Sequence, residues 1–167
     1  AANDKDIWAV GTSPTNTGAA LHGDGKTWTV VDPKSTRPLF GISGTSASDV
    51  WAVGASGTIV HYDGTTWTTV ASSTTSTLYG VYALSANRAW AIGDRVFLNW
   101  DGTRWASSAL SYIVYGLYGI DANNMWAAAY DPNFGYGDIM KFNGTSWSVY
   151  KQYTNGQLYG IWGNGST

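Results

Sequence analysis

Three short markers return in the same order along this chain, and their spacing limits the fold more than any other feature. An apolar run with a central glycine stands at Leu39-Phe40-Gly41-Ile42, Leu78-Tyr79-Gly80-Val81, Leu117-Tyr118-Gly119-Ile120 and Leu158-Tyr159-Gly160-Ile161, at intervals of 39, 39 and 41 residues. A tryptophan run stands at Ile7-Trp8-Ala9-Val10-Gly11, Val50-Trp51-Ala52-Val53-Gly54, Ala89-Trp90-Ala91-Ile92-Gly93 and Met125-Trp126-Ala127-Ala128-Ala129. A turn leading to a second tryptophan completes the set: Asp24-Gly25-Lys26-Thr27-Trp28, Asp63-Gly64-Thr65-Thr66-Trp67, Asp101-Gly102-Thr103-Arg104-Trp105 and Asn143-Gly144-Thr145-Ser146-Trp147. Eight of the ten tryptophans fall on these two positions, so the aromatic content is itself periodic.

Each unit contains four short runs rich in Val, Ile, Thr, Tyr and Trp, bounded by Gly, Asn, Asp and Ser, which is the strand pattern. In the second unit these strands, a to d, are expected over 39–43, 49–53, 58–62 and 66–70. Asp-Gly and Asn-Gly accept the positive φ of tight hairpins, so every c-to-d connection reads as a hairpin. No segment has helical periodicity. A four-stranded antiparallel unit of this size cannot bury both faces alone, and radial stacking of such units solves the problem. The predicted fold is therefore all-β: a β-propeller of four repeats of a four-stranded antiparallel blade, with the recurrent tryptophans packed between blades.

The chain, 1–167, reads as one propeller domain or half of a larger one. Its repeats are 1–38 completed by a C-terminal strand at 157–162, then 39–77, 78–116 and 117–156. The first blade is thus expected to close as three N-terminal strands plus one C-terminal strand. Closure within one chain gives a four-bladed ring; two copies give an eight-bladed homodimer. The phase of the cut also fits an excised or engineered segment of a longer array.

The repeated Leu-Tyr-Gly-Ile, Val-Trp-Ala-Val-Gly, Thr-Ile-Val-His-Tyr-Asp-Gly and Thr-Trp-Thr resemble the Trp-rich propeller repeats of bacterial surface proteins and of tectonin-type lectins, over essentially the whole chain. The resemblance implies a carbohydrate-binding role and an extracellular or cell-surface parent protein. The Asp-Gly-x-x-Trp turn is also similar to the Asp-box of sialidase-type propellers, but that motif has one residue between Asp and Gly, and here there is none.

Composition narrows the chemistry. A formal net charge of −2 with nine scattered Lys and Arg supplies no basic field for nucleic acid. No apolar stretch is long enough for a membrane span, and the chain reads as soluble. There is no Cys, which removes thiolate and disulfide chemistry. All eleven acids are Asp. Asp24, Asp63 and Asp101 recur in the c-to-d turn and Asp6 and Asp49 before strand b, and repetition in equivalent places favours hydrogen bonds to turn backbone over catalysis. Asp4, Asp32, Asp94 and Asp121 read as terminal, loop or turn residues. His22 and His61 share one repeat position. Without clustered His, Cys or Glu, neither a metal site nor a cofactor is expected. Asn143-Gly144-Thr145 and Asn164-Gly165-Ser166 match the N-glycosylation pattern, the first being the repeat's own turn.

With strand a innermost, the b-to-c and d-to-a loops share one face, and that face carries the variation between units. Loops held by a rigid scaffold are where binding residues collect. The most distinctive segment is 130–138, with Tyr130, Phe134 and Tyr136 beside Asp131, Asn133 and Asp138. Flat rings stack on the apolar face of a sugar while Asp and Asn accept from its hydroxyls. The bland alternative, which the residues favour, is that the same rings fold back over the neighbouring blade. Three readings follow: a non-enzymatic binding or scaffold propeller with a glycan ligand, a repeat segment that self-assembles into a ring with no ligand, and a glycoside-cleaving propeller needing Asp131 or Asp138.

Overall fold

The computed structural model describes residues 6–153 and 156–164. Asp4 and the Gly165-Ser166 half of the second glycosylation match lie outside them. Among the described residues, thirteen antiparallel strands form three sheets. The first is β1 (Ile7–Thr12), β2 (Gly18–Gly23) and β3 (Trp28–Val31); the second is β4 (Leu39–Ser46), β5 (Asp49–Gly54), β6 (Ile59–Tyr62) and β7 (Trp67–Val70). The third joins β8 (Leu78–Ser85), β9 (Arg88–Trp100), β10 (Trp105–Asp121), β11 (Asn124–Asp131), β12 (Tyr136–Phe142) and β13 (Trp147–Tyr153). One short 3₁₀ turn, Ala55–Gly57, interrupts the strands.

The third sheet holds two sequence units because two connections have no break. β9 continues through Asp94 and Arg95, the latter at φ 57°. β10 pairs with β9 from Trp105 to Ile113 and then with β11 from Ile113 to Asp121, passing from one unit to the next as a single strand.

Three apolar clusters hold the units together, each filled from two neighbours. Trp8, Val10 and Val31 meet Leu39, Ala52 and Trp67; Trp51, Val53 and Ile59 meet Leu78, Ala91 and Trp105; Trp90, Ile92 and Phe97 meet Met125, Met140 and Phe142. The tryptophans repeat one geometry: Trp8 meets Trp67, and Trp51 meets Trp105, edge-on at 5.3 Å in both cases. The expectation that the recurrent tryptophans pack between units holds for Trp8, Trp51, Trp67, Trp90, Trp105 and Trp147, while Trp28 is exposed and Trp126 meets Tyr150 of its own unit. Every residue of β5 is buried, since both of its faces lie against a neighbour, which is why strict polar and apolar alternation is absent.

Strand pairing corrects one sequence marker. Trp51 pairs with Ser43, Trp90 with Tyr82 and Trp126 with Tyr118. The counterpart of Leu39 and Leu78 is therefore Val114, opposite Ala129 as Leu39 is opposite Gly54, and not Leu117. The sequence Tyr115-Gly116-Leu117-Tyr118-Gly119 contains the Tyr-Gly marker twice, and even spacing selects the wrong copy. In all three inner strands the register slips by one at this marker, leaving Phe40, Tyr79 and Tyr115 as the extra residue, a β-bulge that re-aims the side chain.

The c-to-d turns are as read. One carboxylate oxygen of Asp24, Asp63 and Asp101, and the Asn143 amide oxygen, each accept two backbone N–H bonds at 2.7–3.0 Å. The following glycines sit at φ 86–95°. Backbone donors lower the Asp24 and Asp63 carboxyls; Asp101 falls to about 2, first through the Thr103 hydroxyl and then the Arg104 and Thr103 amides.

The first sheet is not closed. β1 is its edge, and among the described residues no strand pairs with that edge. Residues 156–164 carry no strand. The expected partner, 157–162, instead lies on β10, where a Cβ on Gly116 would stand 2.9 Å from the Gly160 Cα. Two glycines permit that backbone approach, just as Gly41 meets Gly80 between β4 and β8.

Candidate functional site

The b-to-c and d-to-a connections share one face: Asp94 donates to the Thr77 carbonyl at 2.8 Å, Ala55 to Pro38 at 3.0 Å, and Gly18 to Ser35 at 3.1 Å. The c-to-d glycines Gly64, Gly102 and Gly144 lie instead against Ser48, Asn87 and Asn123 of the a-to-b connections. Two faces with different sequence behaviour are thus physically separate.

Segment 130–138 is more regular than a loop. Tyr130 pairs with Gly137 and Asp131 with Tyr136, so Tyr130 and Asp131 end β11 while Tyr136 and Asp138 begin β12. The turn proper is 132–135. It is fixed by Gly135 donating to the Asp131 carbonyl at 2.9 Å, Asn133 donating its backbone N–H to the Asp131 carboxylate at 2.8 Å, and Gly135 at φ 75°. Phe134 is 68% exposed and stacks on Tyr136 at 5.9 Å with 20° between the rings. Phe134 and Tyr136 therefore form a flat apolar step at the end of the hairpin.

The two acids take a different place. Asp131 is 6% exposed and Asp138 fully buried. Gln152 stands opposite on β13, and its side chain works against the effect of burial on the Asp138 carboxyl. Burial raises its carboxyl above the usual range, and Asp131 adds to the rise. Tyr112 lies in the same field: burial, then Asp138 and Asp131, raise its phenol.

A second aromatic feature escapes sequence reading. The bulged residues Phe40, Tyr79 and Tyr115 and the equivalent Tyr159 follow one another as a row, with ring centroids 6.2, 5.1 and 5.1 Å apart and planes tilted 34–49°. Its ends are open, with Phe40 49% and Tyr159 66% exposed. Phe40 and Tyr79 stand at the start of β4 and β8, Tyr115 stands where β10 turns from β9 to β11, and Tyr159 lies in the segment seated on β10, all on the b-to-c face. Burial and then Asp94 raise the Tyr79 phenol; burial leads at Tyr115, where Tyr79, Tyr159, Asp94 and Tyr130 all contribute. The marker aromatics carry the signal, but only the bulge shows which way they point.

The histidines are structural. His22 and His61 each donate Nε2–H to a carboxylate, Asp6 and Asp49 respectively, at 2.8 Å, and stack on Trp8 and Trp51 at 4.3 and 4.0 Å. Asp49 also accepts from the Trp51 indole at 3.1 Å and from the Thr45 hydroxyl. No group of three or more His, Asp or Glu suited to a metal ion occurs among the described residues.

Consecutive antiparallel sheets packed face to face on a short repeat define a β-propeller repeat protein, and solved propeller structures superpose on the chain. YCF48 bound to D1 peptide matches with TM-score 0.59 and 18% identity over 89% of this chain and 50% of that one. The WD40 β-propeller domain of Doa1 matches with TM-score 0.60 and 11% identity over 94% and 55%, and the Neurospora crassa Pan2 WD40 domain with 0.58 and 13% over 93% and 48%. The chain spans about half the length of these structures. At such identities the likeness is one of fold. No family model matches, and no curated protein is similar.

Proposed function

We propose that the chain is a non-enzymatic propeller module that binds a partner on its b-to-c face, with a glycan as the ligand class. The observation that carries this is the pair of solvent-facing aromatic features on that one face, the Phe134–Tyr136 step and the Phe40–Tyr79–Tyr115–Tyr159 row. The recurring acids and histidines are committed to turns and interfaces, leaving these rings as unassigned chemistry. Tyr130, Asp131 and Asn133 stand beside the step, with Asp138 beneath. Asp131 and Asp138, at 6% and 0% exposure, are withdrawn from a solvent-borne substrate, which weighs against glycoside cleavage. A glycan array followed by titration of the tyrosine NMR signals tests the ligand class. Silence there, with shifts from a peptide library, transfers the site to peptides, the ligand class of one similar propeller.

A second reading, self-association, rests on a separate observation. Of the large apolar side chains that stand exposed, Ile7, Leu21, Trp28 and Val30 cluster on the first sheet, while Val149, Tyr150, Tyr153, Tyr159 and Trp162 cluster at the other end. Apolar surface concentrated at two ends marks interaction faces.

A further inference from the structure

We infer that the open edge of β1 is an acceptor for the Leu158–Gly163 segment of a second copy, and that two such exchanges close one eight-bladed ring. The inference rests on the self-association reading and supplies its register. A cleft of about 380 Å³ lies between the start of β1 and β4, lined by Ile7, Trp8, Ile42, Ser43, Gly44 and Val50 among others. It lies along the unpaired edge of β1, the edge that in β5 is filled by β4.

Two glycines identify the occupant. Gly54 and Gly93 end their tryptophan runs jammed against the inner strand of their own unit, at Leu39 and Leu78. Gly11 holds the same place in β1 and has nothing within 4 Å. On the inner strands, a Cβ on Gly41 would meet the Tyr79 carbonyl and the Gly80 Cα of the next unit at 2.8 and 2.9 Å, and one on Gly116 would meet Gly160 at 2.9 Å. Gly160 itself has nothing within 4 Å. Among the described residues, Gly11 therefore has no inner strand beside it and Gly160 no following unit. One contact, a second copy's Gly160 placed against β1 and Gly41, supplies both.

The register follows from the repeat. Leu39 opposes Gly54, Ile42 opposes Ala52 and Ser43 opposes Trp51. Leu158 then opposes Gly11, Ile161 opposes Ala9 and Trp162 opposes Trp8. The outer faces match as well. Where Trp8 meets Trp67 and Trp51 meets Trp105 across their interfaces, the half-buried Trp126 of one copy would meet the 53%-exposed Trp28 of the other. In this structure the chain's own segment is seated on Gly116, Tyr115 and Tyr118 and does not line the cleft, which leaves the cleft open to a second copy's segment. The chain's own segment can remain seated there while pairing outward. A head-to-tail contact that closes gives a finite assembly instead of a filament.

The chain has no Cys, which makes the test clean. Light scattering of the unmodified chain is expected to give twice the 17.9 kDa chain mass; a single-chain mass at all concentrations, or a mass that grows without limit, overturns the inference. Directly paired strand residues lie within disulfide reach, so mixing Ala9→Cys chains with Ile161→Cys chains should yield a disulfide-linked pair. An intramolecular disulfide at single-chain mass in the doubly substituted chain would overturn exchange between copies. Gly160→Val should halve the mass while leaving circular dichroism unchanged, because the position is open within one chain; retention of the doubled mass refutes the placement. Trp28→Glu provides the same readout at the second contact. Glycan titration of the single-chain Gly160→Val variant tests the ligand reading independently of assembly.

Discussion

Gly54→Ala isolates the packing of inner strand on neighbouring strand. Gly54 is extended, at φ −168° and ψ −152°, so an alanine can adopt its backbone and the cost is spatial. The added Cβ falls well inside contact with the Pro38 carbonyl oxygen and 2.9 Å from the Leu39 Cα. Both are backbone atoms, so no rotamer change relieves the clash. Moving the Pro38 carbonyl also strains the bond it accepts from Ala55 at 3.0 Å. Overpacking costs about 1–3 kcal/mol, and an immovable neighbour puts this case near ~3 kcal/mol. At about 2–4 °C per kcal/mol for a domain of this size, Tm should fall by roughly 6–12 °C. Gly11→Ala, at the equivalent open position, should stay within about 0.5 kcal/mol of its parent. Both are measured by calorimetry in the Gly160→Val background, where assembly does not enter. Equal Tm values for the two variants would refute the argument and mean that the inner strand relaxes, as the fourth unit does with Ala129 opposite Val114.

Trp51→Ala removes a fully buried ring that contacts His61, Trp100 and Trp105, at a cost of about 3–5 kcal/mol, visible in chemical denaturation. Phe134→Ala should weaken glycan binding by about 1 kcal/mol, roughly fivefold in Kd, with no change in Tm; an unaltered titration removes the hairpin step from the site. The folded state holds the proton of buried Asp138 more tightly than the unfolded chain does, so its stabilising effect is complete below the unfolded pKa and is lost as pH rises through the raised value. Asp138→Asn should therefore exceed the parent in stability at neutral pH, with the gap closing toward acid pH in parallel melting curves. The depressed Asp101 carboxyl works in the opposite direction: its contribution is present above the unfolded pKa and disappears as pH falls toward about 2, which a carboxyl NMR titration reads directly.

The repeat made the strand order, the hairpin turns and the packing role of the tryptophans legible before any coordinates, because each is enforced by local chemistry restated in every unit. Asp63 and Asn143 hold the same turn with different side chains. The inner strand of the fourth unit was not legible, since two overlapping Tyr-Gly markers can be told apart only by what faces Trp126. Of the site, the aromatic hairpin was foreseen in residues but not in form: pairing of Asp131 with Tyr136 makes it a continuation of the sheet. The tyrosine row remained hidden because a bulge, which composition does not encode, decides where those rings point.

The three apolar clusters each lie between adjacent units, and none spans the whole molecule. Cooperativity in such a chain is a nearest-neighbour property, a sum of unit and interface contributions. An interior unit is held from both sides and an end unit from one. Amide protection should therefore decline outward from β5 toward β1–β3 and toward β13, and seating a partner on either end would flatten that gradient by making every unit an interior one.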